Sequence, residues 1–307
     1  MLIMNNIVVL MSTYNGSSFI KDQIESLLSQ DYSDVKICIR DDGSTDKTIS
    51  LLSEYITKKS IFSLKQGKNI GIFNSFFELL EDAGDKYQFY AFCDQDDVWK
   101  PKKISAAIAK LKKYPNKIPL LYCSRLEYVD ENLNHIGFSA KPKSFSFYNS
   151  VTENCVTGCT TIINKSAREL IIRKKPNFAC MHDWWIYLII SAFGKIIYDD
   201  YSNILYRQHE NNIVGGSNNK IKKNIKKIIP FLLTIRKNKK RTSDQVREFK
   251  NIYGQEINKE YSNYIDIFLS GKNNFYNRLR IIFSKNYSRQ HCIDNILFKL
   301  QILFGLY

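Results

Sequence analysis

The sequence predicts an α/β fold, a mostly parallel central sheet flanked by helices, and three observations carry that prediction. Short apolar runs alternate with helix-period segments through the first half of the chain. The 307 residues, 44% of them hydrophobic, suffice for one large core and an appendage. The segments that follow the first, second and fourth strands are polar and acidic, and the carboxyl ends of a parallel sheet are where such a fold binds its ligand.

The elements follow in order. Ile7 to Met11 reads as the first strand and Ser18 to Ser29 as a helix, with the polar loop Ser12 to Gly16 between them. Val35 to Ile39 is the second strand. The loop after it, Arg40-Asp41-Asp42-Gly43-Ser44-Thr45-Asp46, turns at Gly43 and offers Ser44, Thr45 or Asp46 as the cap of a helix to Thr57. Ile61 to Leu64, Phe89 to Cys93 and Leu120 to Cys123 are further strands, and Ile72 to Asp82 and Lys102 to Lys112 further helices. Such βαβα order implies parallel pairing with helices on both faces. From Val151 to His209 the pattern is less regular, with apolar pieces at Thr160 to Ile163, Lys195 to Tyr198 and Ile204 to Tyr206 and a helix from about Asp183. This stretch is expected to be a second lobe that completes one site.

Charge divides the chain. Residues 1–219 hold 26 Lys/Arg against 24 Asp/Glu, whereas 220–307 hold 19 against 6. We therefore expect a domain over 1–219 and a basic, mainly helical extension over 220–307. In the extension Ile221, Ile225, Ile228, Ile229 and Leu232 share a helical face, lysines lie elsewhere and Pro230 should kink the helix. Ile293, Ile296, Leu297, Leu300 and Phe304 form a second apolar stripe. Either stripe could lie on lipid or pack on the rest of the protein. No apolar run reaches the ~18 residues of a membrane span, and MLIMNNIVVL has no charged lead, so neither a span nor a secretion signal is expected. Seven cysteines with no CxxC pair suggest neither a disulfide framework nor a zinc site, and a reducing cytosol is expected.

Cys93-Asp94-Gln95-Asp96-Asp97-Val98-Trp99 is the sharpest signal. Three carboxylates within four residues repel one another unless a cation or solvent neutralises them. An oxygen ligand set suits Mg²⁺ or Mn²⁺ bridged to phosphate and argues against zinc. The plainer reading is a solvated turn with Asp97 capping the next helix. His182-Asp183-Trp184-Trp185 opens an apolar helix, where Asp183 is either a general base against an aromatic wall or a helix cap. Arg207 and His209, in Tyr206-Arg207-Gln208-His209, either hold a diphosphate or complete a metal shell, or are an ordinary surface Arg and a satisfied His. No HExxH, GxSxG, GxxxxGK[ST] or GxGxxG pattern is present, which weighs against zinc proteases, serine hydrolases, P-loop NTPases and dehydrogenases.

Taken with Met11-Ser12-Thr13-Tyr14-Asn15-Gly16, Asn69-Ile70-Gly71 and Thr157-Gly158-Cys159, these motifs resemble the inverting family 2 glycosyltransferases of the GT-A fold. The variants CDQDDVW, HDWW and YRQH are similar to the rhamnosyltransferase subgroup of bacterial polysaccharide assembly, and the likeness spans about residues 5 to 215. The resemblance implies that Thr13, Tyr14, Asp41 and Asp42 contact the base and ribose of a nucleotide-sugar donor. It implies that Asp94 and Asp96 are the DxD pair, with Asp96 the direct metal ligand, Asp183 the base, and Arg207 and His209 close to diphosphate or metal. Mg²⁺ or Mn²⁺ is the implied cofactor, dTDP-rhamnose the first donor expected and UDP-hexoses the second. A lipid-linked glycan is the implied acceptor, single-sugar addition the implied outcome.

The basic stretch Lys220 to Arg241 is expected to meet an anionic membrane surface on the cytoplasmic side. A helical appendage packed on the enzyme or on a second copy of the chain is the alternative. A nucleic-acid-binding protein is the rival from another class, and it fits poorly because the strand-end loops are acidic. A metal-dependent nucleotidyltransferase is the second rival, separated by its release of pyrophosphate.

Overall fold

Strand and helix alternate from the start: β1 (Ile7–Thr13), α1 (Ile20–Leu28), β2 (Val35–Asp41), α2 (Thr48–Ile56), β3 (Phe62–Gln66), α3 (Ile72–Asp82) and β4 (Phe89–Cys93). Next come β5 (Val98–Trp99), α4 (Lys103–Leu111), β6 (Leu120–Ser124), β7 (Glu127–Val129), β8 (His135–Phe138) and α5 (Phe147–Thr152). A single 3₁₀ turn at Gly158–Thr160 leads into β9 (Ile162–Asn164), α6 (Lys165–Ile172), α7 (His182–Phe193), β10 (Lys195–Asp199) and β11 (Ile204–Arg207). The chain closes with α8 (Thr242–Tyr253), α9 (Lys259–Ser270), α10 (Phe275–Phe283) and α11 (Cys292–Leu303). The computed structural model describes residues 6–57, 59–210 and 242–307. The basic helix expected at Lys220 to Arg241, with its Pro230 kink, lies outside the described residues.

Two units result. The first comprises the described residues of Met1–Lys141, Val156–Lys175 and Gly194–Ile213. Its main sheet has the order β10-β6-β9-β4-β1-β2-β3, parallel except for β9, which runs antiparallel between β4 and β6. Side chains alternate across β1. Ile7, Val9 and Met11 join Ile20, Ile24 and Leu27 of α1, Leu52 of α2 and Ile104, Ile108 and Leu111 of α4 in one buried cluster. On the opposite face Phe76 of α3 meets Phe92 edge-on at 5.7 Å, and the Arg168 guanidinium of α6 lies 5.7 Å over the Tyr90 ring. A small second sheet, β5-β11-β7-β8, carries the end of β11.

The second unit, within Pro142–Cys155, Pro176–Phe193 and Val214–Tyr307, is helical among its described residues. Aromatic rings fill it. Phe147 stacks on Tyr261 at 4.1 Å, Tyr264 on Tyr287 at 4.0 Å, and Trp185 and Phe193 pack against Phe249 and Tyr253. Residues 142–155 and 176–193 thus group with the C-terminal helices, which the charge boundary at residue 219 does not anticipate. Charge marks where the surface changes, whereas this grouping follows buried apolar contact. No described helix is long and apolar enough to cross a membrane, and none of the seven cysteines forms a disulfide.

Candidate active site

The carboxyl ends of β1, β2 and β4 lie side by side in the sheet, with Met11 paired to both Ile39 and Cys93, so the three loops that follow them are neighbours. Thr13 donates its hydroxyl to Asp41 Oδ2 at 2.8 Å, tying the first loop to the second. Asp41 also accepts from Ser44 Oγ at 2.6 Å and from the backbone N–H groups of Gly43 and Ser44. Its carboxylate is fully buried and shapes the turn. Gly43 sits at φ +86°, and a Cβ there would come within 3.2 Å of the Asn69 backbone, so the turn needs glycine. Asp42 pairs with the Arg40 guanidinium at 2.5 Å and accepts from the N–H groups of Ile70 and Gly71 at 2.9 Å each, which fixes the Asn69-Ile70-Gly71 segment beside the same loop.

Tyr14 is half exposed at 48%, its backbone held by Gln95: Tyr14 N donates to Gln95 Oε1 at 2.8 Å and Gln95 Nε2 returns a bond to Tyr14 O at 3.0 Å. Sequence reasoning passed over Gln95 because it is uncharged among aspartates. Asn15, at φ +48°, links onward to Ser44 and Thr45.

The aspartate string continues from β4 and divides by burial. Asp97 is wholly buried, with its Oδ1 accepting from Arg207 N at 3.2 Å. Burial, then the Asp96 and Asp94 charges beside it, push its carboxyl well above the usual range. It does not cap a helix: β5 follows it directly and α4 starts only at Lys103. Asp94, Asp97 and Cys159 each offer one ligand atom, all within 4.8 Å of one another. Burial, then the Asp97 and Asp94 charges, drive the Cys159 thiol upward too, and a protonated thiol is a poor ligand for a hard cation. Lys103 lies beneath, buried, its ammonium donating to Cys159 O at 2.7 Å and sitting 4.4 Å over the Trp99 ring.

Asp96 has a different partner. Its Oδ2 shares a 2.8 Å hydrogen bond with His209 Nε2, whose ring rests on Phe19 at 4.9 Å. Arg207, the residue two before, is 2% exposed on its side chain. Its Nε donates to the Asp96 carbonyl at 3.0 Å, its other nitrogens to the Glu131 carbonyl and to Asp22 Oδ2 at 2.7 Å, and its plane lies 4.6 Å from the Phe19 ring. The guanidinium therefore braces the backbone of Asp96. Phe19 and Asp22, on or just before α1, are missing from the sequence reading because their partners lie almost two hundred residues away.

Asp94 groups with Asp97 and Cys159, and Asp96 with His209, so the expected ligands Asp94, Asp96 and His209 do not form one cluster among the described residues. Their carboxylate and imidazole donors are of the kind that suits Mg²⁺ or Mn²⁺. Asp97 and Cys159, the buried members of the Asp94 cluster, favour their protonated forms.

Asp183 belongs to the second unit. It is the second residue of α7, and its Oδ1 accepts from Trp184 N at 2.7 Å, within the first helical turn. Trp184 donates its indole N–H to Ser150 O at 2.7 Å, and Trp185 is buried among aromatic rings. The acid sits inside the helix start, where the N-terminal dipole favours a carboxylate. Burial lowers the pKa of neighbouring His182 and keeps it neutral at pH 7.

The family model described as Glycosyl transferase family 2 matches residues 8–170. The chain is 33% identical over 224 residues to the dTDP-rhamnosyl transferase RfbG of Shigella flexneri, a match covering 67% of this chain and 74% of that protein. It is 27% identical over 188 residues to the Escherichia coli UDP-Glc:alpha-D-GlcNAc-diphosphoundecaprenol beta-1,3-glucosyltransferase WfgD, covering 61% and 70%. An uncharacterized glycosyltransferase of Rickettsia typhi, 24% identical, is covered over 64% of its length, so the chain spans just under two thirds of that relative. Among solved structures, S. aureus TarS 1–349 in complex with UDP-GlcNAc superposes with a TM-score of 0.57 at 15% identity, covering 98% of this chain and 93% of that one. The Pyrobaculum calidifontis mannosyltransferase PcManGT with GDP-Man and Mn²⁺ gives 0.50 at 13%, covering 98% and 85%. These structures share the GT-A fold with this chain.

Proposed function

The chain belongs to glycosyl transferase family 2 and is a glycosyltransferase, and we propose from that premise that it moves a single sugar, with inversion, from a nucleotide-sugar donor to a hydroxyl of a lipid-linked glycan. The donor is dTDP-rhamnose, with a UDP-hexose as second choice; the likeness to the rhamnosyl transferase supports that order. The acceptor class is supported by the diphosphoundecaprenol in the name of the glucosyltransferase relative. The protein works peripherally on the inner face of the membrane where such acceptors are built.

In this reading the Ser12 to Gly16 and Asp41 to Asp46 loops receive the nucleoside. Tyr14 presents its ring, while Thr13, Asp41 and Asp42 hold the walls around it. Asp94, Asp96 and His209 would hold a divalent cation, which would supply positive charge to the diphosphate leaving group. Arg207 keeps Asp96 in place and adds positive potential behind it. Asp183 accepts the proton of the acceptor hydroxyl as that oxygen attacks the anomeric carbon from the face opposite the diphosphate. One displacement needs one base and no covalent intermediate.

The observation that carries this reading is the Asp96–His209 pair at the carboxyl end of β4, beside a loop already built around Asp41 and Asp42. The test is a donor panel of dTDP-rhamnose, UDP-glucose, UDP-N-acetylglucosamine and GDP-mannose, each with Mg²⁺ or Mn²⁺, read by nucleoside diphosphate release and thermal shift. One donor should stabilise the protein and release its nucleoside diphosphate. Release of pyrophosphate, or metal-independent turnover, would remove the proposal.

A further inference from the structure

The last two helices of the second unit carry an apolar surface that the core of that unit does not use. On α11, Phe298 and Ile302 turn inward and are fully buried, whereas Ile293, Ile296, Leu300 and Phe304, three and four residues apart, are exposed on another side, Phe304 by 61%. A helix apolar on more than one side needs more than one apolar surrounding, and the core supplies only one. On α10, Tyr276, Arg280 and Phe283 follow the i, i+4, i+7 spacing of one helical face, and all three are exposed, Phe283 by 81%. Seven of the eleven large apolar side chains exposed among the described residues fall between 275 and 304. Such a concentration marks an interaction surface.

Charge decides what covers it. Of the five Lys/Arg between residues 275 and 307, Arg278 and Arg289 are tied to backbone carbonyls, which leaves Arg280, Lys285 and Lys299 against Asp294 alone. Arg280 and Lys285 are exposed, and Lys299 lies one turn from Ile296. A second copy docked face to face would set these cations against their own counterparts, with a single aspartate on each side to offset them. An anionic bilayer surface offers the opposite charge, and aromatic residues suit the boundary between headgroups and acyl chains.

We propose that the outer side of α11, together with Tyr276, Arg280 and Phe283 of α10, docks this protein on an anionic lipid surface, the apolar side chains entering the headgroup boundary while the cations meet the phosphates. In sequence, the residues of this surface lie outside the Lys220 to Arg241 segment. The inference goes beyond the catalytic reading and does not depend on it, because lipid binding is measured without donor or acceptor.

The test is flotation of the full chain with phosphatidylcholine vesicles, with and without phosphatidylglycerol. The wild type should float with the anionic vesicles and remain behind with the neutral ones. Ile296→Ser/Leu300→Ser/Phe304→Ser, all outward positions, should keep the wild-type melting temperature and lose about tenfold or more of the partitioning. Donor hydrolysis in solution should be unaffected. Unchanged partitioning in the triple variant overturns the proposal and leaves the affinity to another segment. So does sedimentation showing a wild-type dimer that the variant splits with no change in lipid binding. Leu300→Trp is a gentler second probe: tryptophan emission should shift to the blue on anionic vesicles relative to wild type and be quenched by brominated lipid, and no shift overturns the proposal independently.

Discussion

His209 Nε2 and Asp96 Oδ2 lie 2.8 Å apart although 113 residues separate them in sequence. β11 ends at Arg207 and brings both Arg207 and His209 to the loop after β4, one to the backbone of Asp96 and the other to its carboxylate. If that carboxylate is a cation ligand, Asp96→Asn should weaken metal-dependent donor binding by more than the ~10–100-fold that loss of an outer-shell partner alone costs. The measurement is donor-induced thermal shift titrated with Mn²⁺. An undiminished shift would show that the cation is held elsewhere.

Asp183→Asn separates base from binder. The amide keeps an acceptor for Trp184 N–H but cannot take a proton, so kcat should fall about 10²–10⁴-fold. Donor-induced stabilisation should stay at the wild-type value. A variant with near-normal turnover would move the base to another residue.

Arg207 is expected to be a positioning residue. Its donors go to two carbonyls and one carboxylate inside the first unit, and burial leaves it no water to replace them. Arg207→Ala should cost about 3–5 kcal/mol, the penalty typical of breaking a buried charged network. Asp22→Asn, at a half-exposed position where the amide oxygen can still accept the Arg207 hydrogen bond, should cost about 1 kcal/mol or less. Urea denaturation of both variants checks the contrast. Equal costs would mean that the ion pair, not the bracing of Asp96, dominates.

Gly16 and Gln95 should behave as one element. A Cβ on Gly16 would stand 2.3 Å from Gln95 Oε1, the oxygen that holds Tyr14 N–H. Gly16→Ala should therefore displace Gln95, lose both bonds to the Tyr14 backbone and raise the donor KM several-fold. The same bonds are lost in Gln95→Ala, so the double variant should be little worse than the poorer single one, within about 0.5 kcal/mol of it. Additive effects would show that Gly16 matters for a different reason.

What the sequence disclosed and what it hid follow from the range of the interactions. β1 and β4 were legible because each is a short apolar run buried on both faces, β2 because Val35, Ile37 and Ile39 form a buried alternating face, and the Asp94 to Asp97 string because three like charges in one turn need a physical explanation. Asp183 was legible as a carboxylate at a helix start, though not as a residue inside the first turn. The second sheet was hidden: β5 and β7 are two and three residues long, too short for alternation to register. Arg207 was found as a motif residue without its task, since Asp22, Phe19 and Glu131 converge on it only in the folded chain. Gln95 was hidden for the same reason, with its partner Tyr14 81 residues away. The grouping of residues 176–193 with the C-terminal helices rests on ring packing such as Trp185 with Phe249, which no local pattern encodes.

The second loop sets an acid limit on stability. Burial raises the pKa of Asp46, but hydrogen bonds from Thr48 and Ser17 outweigh it and hold the carboxyl at about 2, below its usual 3.8. A folded-state pKa below the unfolded one adds stability that is complete above the unfolded value and disappears as pH falls through the folded one. The window is therefore pH 4 to 2, given by the same two values. Because Asp46 is exposed, solvent screening reduces its share to about 1 kcal/mol or less. Asp46→Asn should be less stable than wild type at pH 6, and the difference should shrink as both proteins are taken from pH 4 toward pH 2. Urea midpoints at pH 6, 4 and 3 measure it. A gap that stays constant across that range would mean that Asp46 holds the start of α2 by geometry alone, with no contribution from its charge.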